Sequence, residues 1–163
     1  MGRKRKAWTA RPFESLGERF TDPVTGAVRK DTSSNLFESM LLHPAFTTMK
    51  PRQQMLYVIA KAQFYGHRKP AQDFPDIEFY VETKDEEKPK PIKLNDTSFY
   101  LNWGLIKRYG LYSKNGQHEF YDDLKELQRR GFIQCVSNGM STKSKSIYRF
   151  MSDWKDWKQD DES

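Results

Sequence analysis

Lys114, Asn115, Gln117, His118 and Tyr121 lie close together, and Lys125 and Arg129 follow at helical spacing. These side chains suit recognition chemistry. The amides of Asn and Gln match the donor and acceptor pair on an adenine edge, and Lys matches guanine or a phosphate oxygen. At about 100° per residue, Lys114, Asn115, His118, Asp122, Lys125 and Arg129 share one side of a helix. Phe120, Leu124 and Leu127, at i, i+4 and i+7, take the other and are expected to face inward. A recognition helix reads bases with its N-terminal half, which nominates Lys114, Asn115, Gln117, His118 and Tyr121.

Catalysis has no comparable constellation. His43, His67 and His118 are far apart in sequence, and with the lone Cys135 they make no metal-ligand spacing. His118 and Asp122 sit at i and i+4, where a surface hydrogen bond is the expected outcome. There is no phosphate-binding glycine loop, dinucleotide fingerprint or nucleophile elbow. The expectation is a non-enzymatic protein with no cofactor and no metal. One cysteine excludes an intrachain disulfide and fits a reducing compartment, and its apolar setting predicts an inert thiol.

These side chains need a scaffold. Asn102 is placed to cap a short helix, Trp103 to Tyr109, that stops at Gly110. Ser113 is expected to open a longer helix that runs through Leu127 to Gly131. Strand candidates follow at 132–136 and 147–151. Between them lie the Asn138-Gly139 turn and a loop with Lys143 and Lys145 among Ser141, Thr142 and Ser144, groups that can hold phosphate oxygens. Phe99 to Leu101 reads as one more strand. Upstream, Pro51 suits a first helical position, Met55, Val58, Ile59 and Ala62 trace a buried stripe that Leu56 and Tyr57 widen, and Gly66 ends it, predicting a helix from Pro51 to Tyr65. Residues 35–46 form short apolar pieces that pack onto it.

The whole predicts an α+β winged helix-turn-helix over residues 34–151, with flexible termini and a long insertion at 67–98 after the first helix. Between Ala71 and Thr97, eight acids against four lysines leave that insertion at −4, and a small strand is expected at 77–81. Such a segment is repelled by phosphate. The net charge of +6 and a pI near 9.3 favour a polyanion partner. Residues 1–33 form a basic arm without sustained periodicity. Its Arg3, Lys4, Arg5 and Lys6 suit phosphate contact and a solubilising tail equally, and a nuclear-import signal is compatible with them. The tail, 152–163, is polar and acidic. Its Trp154 and Trp157 are expected to dock on the core; together with Leu36 and Phe37 they are the apolar residues from which a dimer seam could be built. No apolar stretch reaches the roughly 20 residues of a membrane span.

The runs 99–103, 107–112, 120–124, 131–133 and 143–150 resemble small winged-helix proteins carried by conjugative and other mobile elements of Gram-positive bacteria. More distantly they are similar to winged-helix domains of plasmid replication initiators and phage replisome organisers. The resemblance implies a bacterial, cytoplasmic, nucleoid-associated protein that binds double-stranded DNA in replication, transfer or transcription. One count supports an alternative. From Lys114 to Gly131, four cations and four acids balance, so this helix could equally face protein, including a host defence complex that the module would inhibit.

Overall fold

The computed structural model describes residues 19–31, 34–66, 78–81, 90–93, 98–139 and 145–159. The chain divides into two compact units, residues 1–33 and 34–163. In the first, β1 (Arg19–Thr21) and β2 (Val28–Lys30) pair as an antiparallel hairpin. This corrects the expectation of an arm without regular structure. Three-residue strands are too short to show a periodicity, and the turn is fixed by Asp22, whose carboxylate accepts from the backbone N–H of Val24 at 2.9 Å.

The second unit opens with two four-residue helices, α1 (Glu38–Leu41) and α2 (Pro44–Thr47). His43 caps α2, its Nδ1 accepting from the Ala45 N–H at 3.1 Å. The long helix α3 (Pro51–Gly66) follows. Its extent agrees with the sequence expectation, and its buried face agrees at Leu56, Tyr57 and Ile59 but not at Met55, Val58 and Ala62. Met55 is 48% exposed, while Leu56 and Ala60 are fully buried with Gln53, Tyr57, Ile59 and Gln63. The true stripe is 53, 56, 60 and 63. Two glutamines lie in it and Met55 lies outside it, so hydrophobicity alone centred the face too far toward Met55.

β3 (Glu78–Val81) falls within the small strand expected at 77–81. It pairs with β4 (Lys90–Lys93), a strand hidden in the charged run because Lys at both its ends masks the alternation.

After β5 (Ser98–Tyr100), α4 (Trp103–Ile106) continues as one 3-10 turn, Lys107–Tyr109. The Asn102 side chain accepts from the Leu105 N–H at 2.9 Å, as the cap predicted. α5 spans Gln117–Arg129. It starts four residues later than expected from Ser113, because 113–116 closes a separate turn in which the Gly116 N–H donates to the Ser113 carbonyl. β6 (Ile133–Ser137) and β7 (Ile147–Phe150) complete a three-stranded antiparallel sheet of order β5-β7-β6. Ile133 faces Phe150 and Cys135 faces Tyr148, with a register irregularity between Cys135 and Ser137. The unit is therefore an α+β structure in which the last strand is central.

Its core lies between α3, α5 and the inner sheet face. Phe120, Leu124 and Leu127 are fully buried, as their spacing predicted. Aromatic rings account for much of the packing. Phe132 meets Tyr57 edge-on at 5.2 Å, and Phe99 stacks on Phe150 at 4.5 Å. Trp154 lies parallel to Phe132 at 5.9 Å, and Arg130 sits over Trp157 at 4.6 Å, so the segment Ser152–Trp157 docks on its own chain. That docking needs Gly131, whose φ is +81°. A Cβ there would stand 2.7 Å from atoms of Asp153 and Trp154.

Candidate nucleic-acid interface

α5 presents its polar side outward. Lys114, Asn115, Gln117, His118, Asp122, Lys125 and Arg129 are all exposed, while Tyr121 is half-buried with its ring 5.0 Å from that of Phe120. Lys114 and Asn115 stand in the turn before α5, off the helix on which the sequence expectation placed them, and Gln117 and His118 are its first two residues. His118 Nδ1 lies 3.0 Å from Asp122, so the expected surface pair is present. Lys125 reaches the same carboxylate at 3.8 Å.

The buried side of α5 is fixed by a polar cluster that sequence reasoning missed. Asp123 is 2% exposed. Its carboxylate accepts from Arg52 Nε at 2.6 Å, Tyr112 Oη at 2.8 Å and Gln53 Nε2 at 3.1 Å. Arg52 Nη1 also donates to the exposed Glu119 at 2.5 Å, and its guanidinium lies over the Tyr112 ring at 5.2 Å. Burial, then the bond to Asp123, raises the Tyr112 phenol well above its ordinary range, and the bond to Asp123 raises the Arg52 guanidinium. The cluster ties α5 to α3 and to the turn before α5, which fixes the rotation of α5 about its axis. The signal was in the sequence. Asp123 belongs to the apolar stripe 120, 123, 124 and 127, and a carboxylate there requires a partner.

A second anchor lies about two turns on. Arg130 is buried, and its Nη1 donates to the Ala45 carbonyl at 2.9 Å and to Thr48 Oγ1 at 2.6 Å. Its Nε donates to Glu126 at 2.6 Å. Arg129 donates to the same carboxylate from two nitrogens, at 2.7 and 2.8 Å. The bonds from Arg129 and then Arg130 hold the Glu126 carboxyl down at about 2. Arg129, expected on the DNA face, is thus engaged by Glu126.

These pairings change the charge count for the helix. Asp123, Glu119 and Glu126 are each matched by Arg52, Arg129 or Arg130, and Arg52 comes from outside the helix. Ahead of α5, Lys114 is an exposed cation, and on the outward face of the helix Asp122 is flanked by His118 and Lys125.

Beyond β6, the Gly139 N–H donates to Ser146 Oγ at 3.1 Å and closes the base of the basic loop. Lys145 is exposed, its Nζ 5.5 Å from the centre of the Tyr100 ring. Lys143 and the arm residues Arg3, Lys4, Arg5 and Lys6 lie outside the described residues. Cys135 is half-buried, and burial raises its thiol. Among the described residues no three His, Cys, Asp or Glu side chains group as a metal site, and no helix is long and apolar enough to cross a membrane. No protein-family model, curated protein or solved structure matches the chain.

Proposed function

We propose that residues 34–151 form a winged helix-turn-helix that binds duplex DNA and that the protein acts without catalysis. One observation carries the reading. Apart from the β3–β4 pair that intervenes after α3, the order helix, strand, helix, helix, strand, strand, with the last strand central, leaves a polar helix face outside and a basic loop between the final two strands. α4 and α5 then form the helix-turn-helix, α5 enters the major groove, and the loop 138–146 is the wing on an adjacent backbone. Lys114, Asn115, Gln117 and His118 reach base edges, while Lys143 and Lys145 hold phosphates. The setting, an accessory to replication, transfer or transcription in a bacterial mobile element, with the protein on the nucleoid, is carried by the resemblance of the runs quoted above.

Gel shift on random duplex at low salt tests this. Retardation at micromolar protein is expected, weakened by Lys143→Ala combined with Lys145→Ala. Absence of retardation, or indifference to that double change, contradicts it.

A second reading is favoured by one surface. Phe37 and Leu42, which flank α1, are 73% and 71% exposed. Isolated apolar residues on a surface are ordinary, but two large ones beside one helical turn suit a protein partner or a second copy. In this reading the module binds a host or element protein, including a defence complex that it inhibits. Partners retained from host lysate after nuclease treatment, and lost on Phe37→Ser, support it. Loss of every partner on nuclease treatment removes it.

A further inference from the structure

We propose that the β1–β2 hairpin is a second DNA-binding element, a basic ribbon that lies in a groove of B-form duplex. The inference takes its ligand from the function proposed above but stands on a different unit of the chain. Residues 1–33 hold eight Lys and Arg against four acids, so +4 of the chain's +6 lies there. Within this unit the hairpin places cations in register. Arg19 is directly opposite Lys30, and Phe20 is opposite Arg29. Like charges directly opposite one another on a two-stranded ribbon destabilise it. A polyanion removes that cost and gains the released counterions.

The hairpin is short. Strands of three residues make a marginal ribbon in water, and Asp22 is the one buried residue among its described positions. What it has is polar order at the turn. Asp22 accepts from the Val24 and Thr25 N–H groups and pairs with Arg29 at 3.1 Å, and Arg29 lies over the Phe20 ring at 5.4 Å. Arg29 thereby stands with Phe20 on the face of the ribbon opposite the Arg19 and Lys30 positions. Gly26, at φ +71°, turns the chain back. The apolar residues are on the outside, with Val24 61% and Val28 64% exposed. A cationic two-stranded ribbon with an apolar tip matches a groove, which has phosphate walls and a floor of base edges and methyl groups.

The test is fluorescence anisotropy of the full-length protein on a labelled random duplex of two helical turns, titrated at several NaCl concentrations. Arg19→Ala with Lys30→Ala is expected to lower the salt slope by about 1.8, which weakens binding roughly 30-fold near 0.15 M salt. Arg19→Lys with Lys30→Arg keeps the charge and is expected to keep the slope, which separates charge from hairpin folding. Val24→Asp is expected to weaken binding at every salt concentration. An A-form RNA duplex, whose deep and narrow major groove excludes a ribbon, is expected to bind more weakly.

An unchanged slope in the double alanine variant overturns the inference while leaving the α5 reading intact. Equal affinity for RNA and DNA duplexes overturns groove insertion. A slope that responds to Arg19 and Lys30 but not to Lys114 and Lys145 sustains the hairpin and removes α5 as the reader. No binding by the unaltered protein at low salt overturns both.

Discussion

Asp123→Ala should be the most damaging single polar change in the protein. The carboxylate is buried and accepts from three side chains on two segments, Arg52 and Gln53 of α3 and Tyr112 before α5. Removing it leaves the Tyr112 hydroxyl and the Gln53 amide as buried donors without this acceptor, each costing about 1 kcal/mol or more. The Arg52 guanidinium is the third donor. It is one-third exposed and keeps Glu119, so its penalty falls well below the 3–5 kcal/mol of a fully buried broken pair, to about 1 kcal/mol. The expected loss is about 3 kcal/mol. With a urea m-value of about 2 kcal/mol/M, the midpoint should fall by about 1.5 M. The assay is urea unfolding followed by far-UV circular dichroism, with Tyr112→Phe and Arg52→Ala beside it. Tyr112→Phe removes one bond to a charge and should cost about 1.5 kcal/mol. The combination of Arg52→Ala with Asp123→Ala should cost less than the sum of the two. A loss below about 1 kcal/mol for Asp123→Ala, or strict additivity with Arg52→Ala, refutes the view that this cluster locks α5 to α3.

Other perturbations probe the remaining joints. Leu56→Ala should cost about 2–4 kcal/mol in the same urea assay and Met55→Ala less than about 0.5, the reverse of what a stripe through Met55 demands. Gly131→Ala forces a Cβ against Asp153 and Trp154 at a left-handed backbone position. It should release the terminal segment, seen as a red shift of tryptophan emission as Trp154 leaves Phe132. Burial raises Tyr148 to about 12, so its contribution to stability is complete below the unfolded value near 10 and is lost as pH rises from there toward 12. Tyr148→Phe should flatten the alkaline limb of a stability–pH curve. Glu126 acts in the opposite direction: its depressed carboxyl adds stability above about 4.5 that disappears as pH falls toward 2, and Glu126→Gln should flatten the acid limb.

Legibility from sequence followed the strength of the local signal. α5, the Asn102 cap and the β6–β7 pairing were readable because amphipathic spacing, a capping side chain and two apolar runs around Asn138-Gly139 all agree. The rotation of α3 was not. Gln53 and Gln63 are buried there through side-chain bonds to Asp123 and Tyr109, partners 70 and 46 residues away. No window on the helix itself contains them. β1, β2 and β4 escaped for another reason: three or four residues give no periodicity to detect, and charged or turn residues sit at their ends. Of the candidate site, the outward residues of α5 followed from helical geometry. The pairing state of their charges did not, since Arg52 enters from a distant helix and converts an apparently balanced surface into one whose carboxylates are mostly matched. The acid inside the apolar stripe was the available clue.

Backbone amide chemical-shift mapping of the full-length protein, titrated with a random duplex at low salt, addresses the central claim most directly. The account predicts the largest shifts at residues 114–121 and 138–146, with the buried stripe of α3 unmoved. Shifts confined to 36–42, with 114–121 unchanged at saturating duplex, would contradict it.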